Sequence, residues 1–160
     1  MKRVVLVFSV LLGLMCGFSS LAYAKNTADI VSAEEPEKIL SVIKEFGTAE
    51  LLKDSDGDPM IRGKVYGISY SVFFLGCKEN KNCTNISFLT AWSDFSGSEK
   101  AVQDWGYRRG YVQTAVIDGA ARLKMRVNLK KGVTMDNLRE TFGLWRFHMV
   151  DFGDNIVNKK

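Results

Sequence analysis

The sequence predicts an α+β domain: an antiparallel sheet of about five strands flanked by helices, in the order α-β-β-β-α-β-β-α. Three stretches carry that expectation. Two runs rich in Val, Ile, Phe, Tyr and Trp, residues 66–75 and 86–92, flank a wholly polar loop bracketed by Cys77 and Cys83. Such side chains suit a pleated, half-buried surface and the loop suits a turn in water, so the pair reads as a β-hairpin at the centre of a sheet. Leu123, Met125, Val127 and Leu129 alternate with Arg122, Lys124, Arg126 and Asn128, which describes an antiparallel strand with one wet face. Leu138, Phe142, Trp145, Met149, Phe152 and Ile156 step by four, three, four, three and four, the apolar stripe of a long helix lying on a core.

Taken in order, the chain opens with Lys2 and Arg3, an apolar run from Val4 to Phe18, and Ala22-Tyr23-Ala24. A basic start, a short apolar core and an Ala-x-Ala site describe a Sec-type signal peptide over residues 1–24, with cleavage expected after Ala24 and a periplasmic or secreted product. The run is short for spanning the roughly 30 Å hydrocarbon core, so no stable membrane insertion is expected after cleavage. Cys16 follows Met15, where a lipidation site wants a small residue. Lys2 and Arg3 leave with the signal, lowering the formal charge from +4 to +2. So small a charge gives no support to nucleic-acid binding.

Residues 25–33 are small and polar without periodicity and are expected as a flexible N-terminal arm. Residues 34–160 then form a single domain. Ser32-Ala-Glu-Glu35 has the pattern of a capping box, Pro36 suits a first helical turn, and Ile39, Val42, Ile43 and Phe46 recur at helical spacing before Gly47. Residues 48–53 read as a strand leading into Asp54-Ser-Asp-Gly-Asp-Pro59. Three alternating Asp residues suggest calcium, but Pro59 stands where an EF-hand wants its Gly and Val65 where it wants Glu, so a tight Asp/Gly turn is expected and no metal.

Residues 60–75 are expected as one strand, with Gly63 and Gly67 marking a bend or bulge. Tyr70, Val72 and Phe74 share one face and Phe73 and Leu75 the other, so this strand is expected to be central and covered on both sides near Cys77. Export removes Cys16 and leaves Cys77 and Cys83 as an even pair in an oxidising compartment. Redox pairs favour tighter spacing at a helix start, and zinc would want a second Cys or His pair, so a structural disulfide is the expected state. Asp94-Phe-Ser-Gly-Ser98 precedes a short helix over residues 99–107, with Val102 and Trp105 one turn apart. A strand follows over 111–117, then the Asp118-Gly119 turn and the alternating strand. Thr134 opens the last helix. Leu144 and Phe147 stand off its apolar stripe, on the side a monomer prefers polar.

With these residues placed, the chain resembles the YbjN-like family of bacterial proteins, described as sensory-transduction regulators. The resemblance rests on Asp56-Gly-Asp-Pro59, Tyr70-x-Val-x-Phe-x-x-Gly-Cys77, Cys83-x-x-Ile-x-Phe88, Val102-x-x-Trp105 and the segment from Leu138 to Trp145. It implies a fold similar to that of type III secretion chaperones, and it brings no catalytic residues. Two features depart from the family pattern: Gly106 stands where Asn is usual, and the late strand is basic where relatives are often acidic.

The residues themselves point the same way. Positioned acids, bases and nucleophiles are what an enzyme requires. The lone histidine, His148, lies beside the apolar stripe as a packing group, and no Gly-x-Ser-x-Gly or Gly-rich phosphate loop occurs. A non-enzymatic protein-interaction or regulatory module, without a cofactor, is therefore expected, with a protein or a second copy as partner. Candidate contact residues are the off-stripe pair Leu144 and Phe147, the basic row Arg122, Lys124 and Arg126, and the pair Arg108 and Arg109. The alternative is a carrier of a small apolar or anionic ligand held between the sheet and the last helix.

Overall fold

The computed structural model of the chain describes residues 29–158. The signal segment over 1–24 and the first part of the arm lie outside the described residues. The elements are β1 (Ile30–Val31), α1 (Pro36–Lys44), β2 (Thr48–Lys53), β3 (Pro59–Val65), β4 (Ile68–Leu75), β5 (Asn85–Trp92), α2 (Glu99–Arg109), β6 (Gln113–Ile117), β7 (Ala120–Asn128), β8 (Val133–Thr134) and α3 (Met135–Phe152). A π-helical turn over Gly153–Val157 follows α3. Strands β2 to β7 form one six-stranded antiparallel sheet in the order β2-β3-β4-β5-β7-β6. The architecture is α+β as expected, and the hairpin β4–β5 supplies its two middle strands.

Four details differ from the sequence reading. Residues 60–75 are two strands, not one bent strand. Val65 pairs with Ile68 and the chain reverses over Tyr66 and Gly67, with φ of 51° and 81°. Both lie in the left-handed region that a two-residue hairpin turn requires, and Tyr is rarely found there, so the turn carried no recognisable signal. Gly63 is not a bulge; it faces Tyr70 across the ladder, where a Cβ would overlap the phenol ring. The end of the expected loose arm is the short strand β1, paired to β8, with Val31 and Ala33 buried. Helix α1 starts at Pro36, so Glu35 is the residue before it. Of the capping box only the Glu35 half forms, the Ser32 amide donating to Glu35 Oε2 at 3.2 Å.

The helices cover a single face of the sheet. Phe142 and Trp145 of α3 lie over Tyr70 of β4 and Phe88 of β5, with the Phe88 and Trp145 rings stacked at 5.4 Å. Helix α1 buries Ile39, Val42 and Ile43, and Phe46 after it reaches Phe142 at 5.2 Å. Helix α2 packs through Trp105 onto Phe152 and is tied to β6 where Thr114 Oγ1 donates to the Val102 carbonyl at 2.8 Å. Five of the six stripe residues of the last helix are buried. The sixth, Ile156, falls in the π-helical turn and is half-buried. Thr134 caps the helix as expected, its Oγ1 accepting from the Asn137 amide at 3.1 Å. The cleft on the opposite face is lined by strand residues of β4, β5, β6 and β7. The expectation that the sheet is covered on both sides there is corrected: β4 is central because it has a strand on either side, while Phe73 and Leu75 stay half-exposed.

Candidate functional site

The uncovered face can be read row by row from the register. Phe73 of β4 lies beside Ser87 of β5, which lies beside Arg126 of β7. Ser71, Leu89, Lys124 and Gln113 make the next row, and Ala91, Arg122 and Ala115 the one after. The period-two alternation of a strand puts Arg122, Lys124 and Arg126 on one side of β7, about 6.8 Å apart. The sheet thereby brings the expected basic row against apolar side chains of β4, β5 and β6, and the two together border a cleft of about 510 Å³. Ser87 is 2 % exposed at its floor, and its Oγ has no hydrogen-bond partner.

Charge on this face is poorly compensated. Arg122 has Asp118 at 3.6 Å, with the aspartate side chain almost fully in water, which makes a weak pair. Lys124 and Arg126 have no ion-pair partner among the described residues. The basic row is legible in the sequence, but its neighbours are not. Phe73 and Leu89 are separated from it by many residues of chain and meet it only through strand pairing.

The other candidates fall elsewhere. Phe147 is 60 % exposed on the outer side of α3, and Leu144 is half-buried. Beside Phe147, Tyr66, Gly143 and Val150 line a shallower depression of about 380 Å³. Arg146 spans its floor, stacked 4.4 Å from the Phe46 ring and donating to the Tyr66 hydroxyl at 3.0 Å. Arg108 is exposed, whereas Arg109 is engaged inside the molecule: it pairs with Asp151 of α3 and lies 5.0 Å from the Trp105 ring. Both border a further depression of about 550 Å³ together with Phe95, Trp105 and Ile156.

Cys77 and Cys83 come together as a pair across the β4–β5 loop, and Lys78 and Lys81 exchange backbone hydrogen bonds within it. The loop is also tied to the aspartate turn between β2 and β3. The Asn80 side-chain amide donates at 2.9 Å to the Asp56 carbonyl and at 2.9 Å to Asp58 Oδ1. Asp54 Oδ1 accepts from the Asp56 and Asp58 amides, both at 3.0 Å, so this carboxylate serves its own turn.

His148 is 3 % exposed, with neither ring nitrogen hydrogen-bonded, and packs among Trp105, Tyr111 and Phe147. Burial, then the Arg109 guanidinium, push its pKa below the ordinary histidine value, against a smaller opposing effect of Asp151. Burial also pushes the Tyr70 phenol well above its usual range, so it remains neutral. The open sheet face presents apolar area and cations side by side.

Comparison with known families places residues 35–157 within the YbjN family, described as a putative bacterial sensory transduction regulator. No curated protein matches the chain.

Proposed function

The chain belongs to the YbjN family, and we propose that it is a non-enzymatic protein-interaction module of the bacterial envelope whose docking surface is the open face of the sheet. The observation that carries this reading is one-sided packing: three helices lie on one face, and the other presents half-exposed Phe73, Leu75 and Leu89 beside Arg122, Lys124 and Arg126. A contiguous apolar patch rimmed by charge is what a transient protein contact uses. The family description, a sensory transduction regulator, supports a module that acts by contact.

Export to the envelope is supported by Lys2, Arg3, the apolar run and Ala22-Tyr23-Ala24, and by the paired Cys77 and Cys83, which suit an oxidising compartment. Intact-mass measurement on protein from the periplasmic fraction should give a chain starting at Lys25; a full-length mass in the cytoplasm would remove the envelope from the reading.

The carrier alternative loses the place it was expected to occupy. The space between sheet and α3 is filled by Phe142, Trp145 and Met149, all essentially unexposed. A cleft of about 510 Å³ on the other face is within the range small ligands use, and the carrier reading moves there.

The test compares partner capture from the envelope fraction by the wild type, by R122E/K124E/R126E and by Phe147→Asp. The sheet-face reading expects the triple change to lose a partner that Phe147→Asp keeps. Loss with Phe147→Asp alone, or a shift of a dimer to monomer in native mass spectrometry, moves the contact to α3.

A further inference from the structure

We infer that the open face takes an extended peptide segment in which carboxylate and apolar side chains alternate, laid along β5 between the cations of β7 and the strand β4, whose Phe73 and Leu75 stand at the Arg126 end. This rests on the reading of that face as a docking surface and specifies what docks there.

The spacing of the cations comes first. Arg122, Lys124 and Arg126 follow one another at about 6.8 Å, so the row runs for about 14 Å. A single small anion would engage one of them or two. A row of three at this repeat matches every second residue of an extended chain, which has the same rise and the same alternation.

The width of the trough comes second. Strands β4 and β7 lie on either side of β5, so their side-chain rows stand about 10 Å apart, room for one chain between them. Seated there with its side chains pointing left and right, a segment turns alternate residues toward β7 and the intervening ones toward β4, where Phe73 stands in the row of Arg126, Leu75 one row beyond it, and Ser71 in the row of Lys124. Carboxylates on the first set meet the cations; apolar groups on the second meet Phe73 and Leu75 at the Arg126 end. The floor along β5 is low at Ser87 and Ala91, with the apolar Leu89 between them.

The charge balance agrees. Two of the three cations have no ion-pair partner among the described residues, and the third has only the distant, solvated Asp118. A single-stranded nucleic acid also repeats its anions, but it calls for a platform of aromatic rings, and the wall here has one ring, Phe73.

The experiment selects binders to the purified chain from a random peptide library and repeats the selection on R122E/K124E/R126E. Enriched sequences are expected to alternate Asp or Glu with apolar residues on the wild type and to lose the acids on the triple variant. A synthetic peptide of the enriched sequence should weaken roughly tenfold or more when its acids become amides, and likewise at high salt. Its binding should shift backbone amide resonances of β5 and β7 and leave the outer side of α3 unmoved.

Acid-free enriched peptides that still shift β5 and β7 would overturn the carboxylate pattern and leave the docking surface standing. Peptides that shift α3 instead would overturn both. Failure to enrich any peptide, or binding of dodecanoate or oligo-thymidylate in the cleft in preference to the enriched peptide, overturns the inference. Circular dichroism and the denaturation midpoint of the triple variant check that it folds; if it does not, Lys124→Gln with Arg126→Gln replaces it, with the same loss of acid selection expected.

Discussion

His148 shows how far a single residue can be read from each level. The sequence places it beside an apolar stripe; the structure buries it among Trp105, Tyr111 and Phe147 with Arg109 and Asp151 nearby. Its pKa in the folded chain lies below 6.5, because burial and Arg109 disfavour the charged ring more than Asp151 favours it. The unfolded chain therefore binds a proton more readily than the folded one. The stability associated with neutral His148 is complete above about pH 6.5 and is lost as the pH falls from there toward the folded-state value. Denaturation midpoints between about pH 5 and pH 8 should show this fall in the wild type and a flatter profile in His148→Phe; identical slopes would contradict it. Gly106 is a second case. Its space is set by tertiary packing: a Cβ there would overlap Thr114 Oγ1, whose hydroxyl ties β6 to α2. Gly106→Ala should cost about 1–3 kcal/mol in chemical denaturation, although Ala favours a helix, because overpacking outweighs propensity.

At the scale of elements, α3 was the most legible part of the chain and the β3–β4 turn the least. The stripe of α3 repeats at helical period over several turns, so its buried face follows from spacing alone. Phe142 lies at the centre of that face, within 6.0 Å of Phe46, Tyr70 and Phe88 ring centroids. Phe142→Ala is expected to lose about 3–5 kcal/mol by thermal or urea unfolding, the range for removing a fully buried ring. The Tyr66-Gly67 reversal was illegible because nothing local marks Tyr for a left-handed turn; Arg146, eighty residues away in sequence, donates to its hydroxyl. The β4–β5 loop lies between these extremes. Its cysteines were visible in sequence, while Asn80's grip on the aspartate turn was not. Cys77→Ser with Cys83→Ser should cost about 2 kcal/mol, the loop-closure entropy of so short a loop, and leave the sheet register unchanged by amide exchange. A loss of the β4–β5 ladder in that variant would mean that the link sets the register as well.

For the whole molecule, one-sided covering of the sheet predicts how protection is distributed. Amides of β4, β5 and β7 should exchange slowest, and those of β1, β8 and the outer edges of β2 and β6 fastest, since edge and two-residue strands open without unfolding the core. The R122E/K124E/R126E change should alter stability by no more than about 1 kcal/mol, because Arg126 is exposed, Arg122 and Lys124 are only half-buried, and the three have at most one weak partner. Its large effect belongs to binding. The sequence alone determined the α+β class, the long amphipathic helix, the central hairpin with its cysteine pair and the basic row. All of these are written in local period or in turn chemistry, which a chain carries with it before it folds. Only the tertiary structure decided that the second face of the sheet is left bare, that Arg109 is spent on Asp151, and that Phe73 and Ser87 stand beside Arg126. Those facts depend on which strands pair and on which side the helices settle, and pairing partners distant in sequence leave no mark on either segment alone.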